Sequence, residues 1–177
     1  MAHIHLPENL PGMHGLLAFR PAVAPAITAL TQALLCTDEG LSRGERELIG
    51  AYVSALNDCL ICRNVHGAVA QCHLGVDDTF MEKVQADFLQ TDLSNKMKAL
   101  LRIAESVQRG GAMVTPEQIM HAREMGAGDL EIHDTVLITG LFCLFNRYID
   151  GLGIASDDTA ETFRARAKRI AEQGYGA

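Results

Sequence analysis

Along most of the chain the apolar positions recur every three or four residues, the spacing that gives a helix one buried stripe. An opening arm, residues 1–20, contains Pro7, Pro11 and Gly12 and reads as irregular. Pro21 and Pro25 then allow a helix over 22–35, with Pro25 in its opening turn. Ser42-Arg43-Gly44-Glu45 has capping-box spacing, so a helix starts there and puts Leu48, Ile49, Tyr52, Val53 and Leu56 on one stripe. Asn57-Asp58 interrupts it. Both residues favour turns and N-caps, so they are expected to cap a further helix over 59–73, with Gly75 past its end.

Asp77 or Asp78 opens a short helix reaching Phe88, and a longer one fits 95–108, stopped by Gly110-Gly111. Thr115-Pro116-Glu117-Gln118 is a second box, whose helix ends at Gly126. The segment 130–149 is apolar nearly all round, which places it at the centre of the domain or at a subunit interface. An amphipathic helix over 157–173 follows. No period-2 alternation bounded by turn dipeptides competes, so the expected fold is all-α, about seven helices in a single domain over 1–177.

Composition narrows the function. The 177 residues are 48% hydrophobic and 21% charged, as a packed globular domain requires. No apolar run approaches the ~20 residues that span a bilayer, so no membrane partner is expected. The net charge of −7 lacks the basic footprint that nucleic-acid binding needs. Five cysteines, an odd number with no basic-then-apolar leader ahead of them, do not read as a secreted disulfide framework and point to a cytoplasmic protein.

The chemistry concentrates in residues 47–66. Cys59 and Cys62 stand three apart at a helix start, where unpaired backbone N–H groups and the helix dipole favour thiolate. His66 lies one turn beyond Cys62, within reach of a proton exchange with that thiol. Glu47 belongs to the preceding helix and reaches the imidazole if the two helices pack antiparallel. A thiolate can attack the distal oxygen of a hydroperoxide, the leaving oxygen needs a proton, and a second thiol condenses with the sulfenic acid to a disulfide. Cys36, Cys72 and Cys143 read as small apolar fillers. Structural zinc is the rival reading of Cys-x2-Cys-x3-His. Its fourth ligand would be Cys72 or His73, and His73 lies about 16 Å along the helix from Cys62.

Glu47-x11-Cys59-x2-Cys62-x3-His66 resembles the signature of the alkylhydroperoxidase D family, within the carboxymuconolactone decarboxylase superfamily. Residues 41–49 (LSRGERELI) and 145–153 (FNRYIDGLG) are similar to its peroxidase-related subgroup. The resemblance implies an all-helical homo-oligomer that reduces hydrogen peroxide or organic hydroperoxides without haem, flavin, metal or other cofactor, recharged by an external dithiol. It further implies that Cys62 attacks the peroxide, that Cys59 is its disulfide partner and proton donor, and that Glu47 and His66 form the proton relay. Superfamily members acting as decarboxylases lack the cysteine pair, so a lactone lyase is the other alternative to weigh.

Overall fold

A computed structural model describes residues 2–7, 10, 12–155 and 159–176. Among them it forms α1 (Met13–Phe19), α2 (Ala24–Leu35), α3 (Arg43–Leu56), α4 (Leu60–Leu74), α5 (Asp78–Asp87), α6 (Asn95–Arg109), α7 (Pro116–Glu124), α8 (Asp129–Gly151) and α9 (Ala160–Gln173). Short 3-10 turns follow α5 and α6, and no strand occurs among the described residues. Both capping boxes form. Ser42 caps α3 reciprocally with Glu45, and Thr115 caps α7 with Gln118 ahead of a helix whose first residue is Pro116.

α3 is the central rod, packed against α4, α8 and α6. Ten of its fourteen residues are buried, including the consecutive charges Arg46 and Glu47. Arg46 is 1% exposed and each of its three nitrogens has a partner: it donates to the carbonyls of Leu34 (2.9 Å), Leu41 (3.0 Å) and Glu39 (2.5 Å) and pairs with Asp134 of α8 at 2.8 Å. A buried guanidinium is tolerated only when well paired, so this one side chain fixes the 36–42 connection and docks α8 on α3. Gly50 sets how close α8 comes. A Cβ there would lie 2.2 Å from the Phe142 ring, a rigid group with no alternative place in the core.

α4 lies between two layers. It runs antiparallel to α3 across a tight turn, and its Val65, Ala68 and Val69 pack on Ala167 and Ile170 of α9. Its neighbour across the core, α8, buries Ile138, Leu141, Phe142, Phe145 and Ile149 while exposing Leu130, Leu137 and Leu144. The helix expected to be apolar all round is thus buried on one side and leaves an apolar stripe on the other.

Three expectations change. The arm over 1–20 is not irregular throughout: α1 forms there, because burying Leu16 completely outweighs the weak propensity of a seven-residue helix containing Gly15. Asn57-Asp58 does not cap α4. Asn57 closes α3 as its C-cap, Asp58 takes φ 56°, a left-handed conformation that Asp tolerates, and Cys59 itself is the N-cap residue. The last helix begins at Ala160 behind the N-cap Thr159, and the expected start, Asp157, lies outside the described residues.

Replacing Arg46 by Ala strands the buried Asp134 carboxylate and three carbonyls, and is expected to cost about 3–5 kcal/mol in denaturant unfolding. Gly50→Ala, which forces Phe142 aside, is expected to cost about 1–3 kcal/mol by the same measurement.

Candidate active site

The turn between α3 and α4 is pinned from outside. Gln108 Nε2 of α6 donates to Asn57 Oδ1 (2.9 Å), Asn57 Nδ2 donates to Asn146 Oδ1 of α8 (2.8 Å), and Asn146 Nδ2 donates to Ser54 Oγ (3.1 Å). This amide chain locks the backbone that delivers Cys59 to the first turn of α4. Cys62 stands one turn in and His66 one turn further, on the face turned towards α3. Antiparallel packing brings Glu47 to that imidazole: Glu47 Oε2 lies 2.8 Å from His66 Nδ1, with Glu47 1% and His66 8% exposed. All four residues singled out from the sequence therefore meet at one junction of α3 and α4.

The two thiols occupy unlike environments. A hydrogen bond from the Cys62 thiol, joined by one from the Cys62 backbone N–H, holds Cys59 below the ordinary thiol value, against burial and the nearby Asp150 carboxylate. Cys62 is displaced the opposite way. Its hydrogen bond to the Cys59 sulfur, burial and the Cys59 charge all raise it, and the Asn146 amide offsets them only in part. The hydrogen bond between the sulfurs thus pushes the two thiols apart, Cys59 downward and Cys62 upward. Access divides them in the other sense: Cys62 lines a cavity, whereas Cys59 is fully buried.

That cavity, about 140 Å³, is bounded mainly by apolar side chains such as Leu17, Ile27, Phe145 and Ile149, with His14, Arg166 and Arg169 at its polar part. Cys62, His66 and Tyr175 share its wall. The Phe142 and His66 rings meet in a T-shaped contact with centroids 4.5 Å apart, which restricts the imidazole's tilt. Tyr175 was not anticipated. Its hydroxyl lies 2.6 Å from Glu47 Oε1 and 3.0 Å from His66 Nδ1, so Glu47 is held through both oxygens. Burial first, and then the Glu47 carboxylate, push the Tyr175 phenol well above its ordinary value, so it remains protonated as a donor.

Other residues fall elsewhere. Cys72 is exposed, not a filler. Cys36 is half-buried beside the Tyr175 backbone N–H, and burial raises its thiol. Cys143 is half-buried and accepts from Asn57 Nδ2 at 3.7 Å. His133 lies outside the cavity, against Asp134 at 2.9 Å. Among the described residues no three His, Cys, Asp or Glu side chains converge as a metal cluster, and no helix is long and apolar enough to cross a membrane. Asn146 and Asp150, one turn apart on α8, lie within the 145–153 stretch noted in the sequence, and Asn146 ties α8 to the end of α3. Tyr175 carried no sequence signal.

Residues 21–86 match the carboxymuconolactone decarboxylase family. The structure is similar to that of an uncharacterized peroxidase-related protein from Ralstonia eutropha JMP134, described as an alkylhydroperoxidase AhpD core. The two share 30% identity and a TM-score of 0.78 over 89% of this chain and 81% of that one. An uncharacterized peroxidase-related protein from Silicibacter sp. TM1040 (24% identity, TM-score 0.78, 92% and 96% covered) shares the fold. So does a protein of unknown function from Agrobacterium tumefaciens, named as a candidate antioxidant defence protein AhpD (18% identity, TM-score 0.73, 90% and 100% covered). No curated protein matches the chain.

The asymmetry of the thiols is open to titration. In a variant lacking Cys36, Cys72 and Cys143, ultraviolet thiolate absorbance is expected to rise below the pH of a free cysteine. Cys62→Ala, which removes the donor to Cys59, is expected to move that rise to higher pH.

Proposed function

Because the chain belongs to the alkylhydroperoxidase D-like family, within the carboxymuconolactone decarboxylase superfamily, we propose that it is a thiol-dependent peroxidase that reduces hydrogen peroxide or small organic hydroperoxides through Cys59 and Cys62. The observation that carries the reading is the cavity: Cys62 and the Glu47-paired His66 open onto one apolar space, with a second sulfur in hydrogen-bond contact behind. A small apolar chamber suits a hydroperoxide and keeps bulk water from competing with it.

The contacts at the site support the following steps. A carboxylate accepting through Oε2 requires the His66 proton on Nδ1, which leaves Nε2 as the ring's acceptor. The Cys62 sulfur attacks the distal peroxide oxygen and the O–O bond breaks. The thiol proton passes through His66 Nε2 to the leaving oxygen, giving Cys62 sulfenic acid and an alcohol or water. Glu47 stabilises the transient imidazolium, as an orienting carboxylate does for other histidine bases. Cys59, held towards thiolate, then attacks the oxidised sulfur. The S–O bond breaks, and the released hydroxide takes a solvent proton to leave as water.

Reduction runs in from the cavity side. An external dithiol can reach only Cys62 in the resulting disulfide, because Cys59 is fully buried. Cys59 is accordingly the leaving sulfur, and its lowered thiol value makes it a good one. Two electrons pass from the dithiol to the peroxide in each cycle.

Peroxide-dependent turnover with a panel of dithiol donors tests the reading. Cys62→Ser is expected to abolish peroxide consumption, whereas Cys59→Ser should permit one turnover and leave a trappable sulfenic acid on Cys62. His66→Gln and Glu47→Gln are expected to slow oxidation by about 10²–10⁴-fold. Two thiols that survive one equivalent of peroxide untouched would sink the proposal. The match to a decarboxylase family favours a second reading, a lyase acting on a small lactone, and that reading predicts turnover that persists in Cys62→Ser.

A further inference from the structure

The hydrogen bonds of Tyr175 go beyond filling the cavity wall. We propose that Tyr175 is the positioning residue of the Glu47–His66 relay, its hydroxyl donating to Glu47 Oε1 so that Oε2 stays aimed at His66 Nδ1 and Nε2 is left to the cavity. Its effect on rate rests on the peroxidase reading; its effect on the imidazole does not.

The argument begins with counting protons. The Tyr175 hydroxyl lies within hydrogen-bond distance of both Glu47 Oε1 (2.6 Å) and His66 Nδ1 (3.0 Å), but has one proton to give. Given to the carboxylate, the shorter contact, it makes Glu47 an acceptor at both oxygens, and the phenol oxygen then receives a share of the Nδ1–H. Given to Nδ1, it would force the Nδ1 proton away and leave Glu47 Oε2 facing an imidazole lone pair at 2.8 Å. The first arrangement satisfies every atom of the triad. A buried carboxylate that keeps two donors stays ionised more readily than one with a single donor.

The phenol is placed by backbone bonds independent of the triad. α9 ends at Gly174, whose N–H donates to Ile170 O (2.7 Å), and the Tyr175 N–H donates to Gln32 Oε1 of α2 (2.7 Å). Gly174 takes φ +76°, and a Cβ there would lie 2.5 Å from that Gln32 oxygen, so the turn accepts only glycine. The Tyr175 and His66 rings then stack at 24° with centroids 5.9 Å apart. The other ionisable groups around the triad are Cys62 on α4 and Cys36 after α2, with His14 of α1 and Arg166 and Arg169 of α9 on the same cavity.

Tyr175→Phe removes one oxygen and keeps the stacked ring. Two readouts apply. In single turnover with cumene hydroperoxide, oxidation of Cys62 is expected to slow by about ten- to a hundredfold, and the acidic limb of the pH–rate profile to move up by about one pH unit, since the carboxylate has lost a donor to its charged form. By nitrogen-15 NMR, the neutral His66 ring is expected to lose part of its Nδ1–H tautomer in the variant, whether or not peroxide is a substrate. A parent that oxidises while the variant matches it in rate, pH profile and His66 tautomer overturns the proposal and leaves the peroxidase reading intact. A parent inert to peroxide overturns that reading instead, and the His66 tautomer alone then decides for or against Tyr175. Should Tyr175→Phe fail to fold, Gln32→Ala, which frees the Tyr175 backbone without touching the hydroxyl, is expected to shift both readouts in the same direction. No shift in a folded Gln32→Ala protein would equally overturn the proposal.

Discussion

Two adjacent charges buried on α3, Arg46 and Glu47, dictate much of what surrounds them. Withdrawing an ion from water costs several kcal/mol even after relaxation, and only close, complete pairing offsets it. The two side chains leave the helix in different directions, so their demands are met by different parts of the chain. Arg46 collects the carbonyls of Leu34, Glu39 and Leu41 together with Asp134, and so organises the scaffold. Glu47 collects His66 and Tyr175, and so organises the chemistry. One helix turn thus serves as anchor for both.

The thiol pair shows a division between acidity and access. Cys59 is the sulfur that the helix start and the Cys62 hydrogen bond favour as thiolate, yet it is sealed; Cys62 is displaced the other way and meets the cavity. A thiolate facing an open cavity would be exposed to any oxidant that entered. In the proposed cycle, the upward displacement of the accessible thiol makes its reactivity conditional on His66, which Glu47 orients. The thiol that is easier to ionise would then serve the two steps in which it attacks, or leaves from, its neighbour.

The helices were legible because they are locally encoded: the capping boxes at Ser42 and Thr115 formed as read, and the apolar stripe of α3 is buried. The Glu47, Cys59, Cys62 and His66 set was legible because its members sit on two sequential helices, where spacing fixes geometry. Where tertiary contacts decide, the sequence was mute. α1 is a short helix held by one buried leucine, and Cys59 rather than Asn57 or Asp58 occupies the N-cap of α4 because those two form the turn itself. Tyr175 lies 109 residues from His66, and nothing in Gln173-Gly174-Tyr175 signals that it returns to the site. The exposed Cys72 likewise carries the same residue type as the buried pair with none of its surroundings.

The bond between Tyr175 and Glu47 joins residues 128 positions apart, whereas Glu47 and His66 are separated by 19. At a synthesis rate of ~5–20 residues per second, Tyr175 is added roughly 6–25 s after Glu47. Glu47, both sulfurs and His66 are therefore all in the chain well before the phenol. In the order of synthesis, the dithiol and the carboxylate–imidazole pair thus precede by many seconds the phenol proposed to position them.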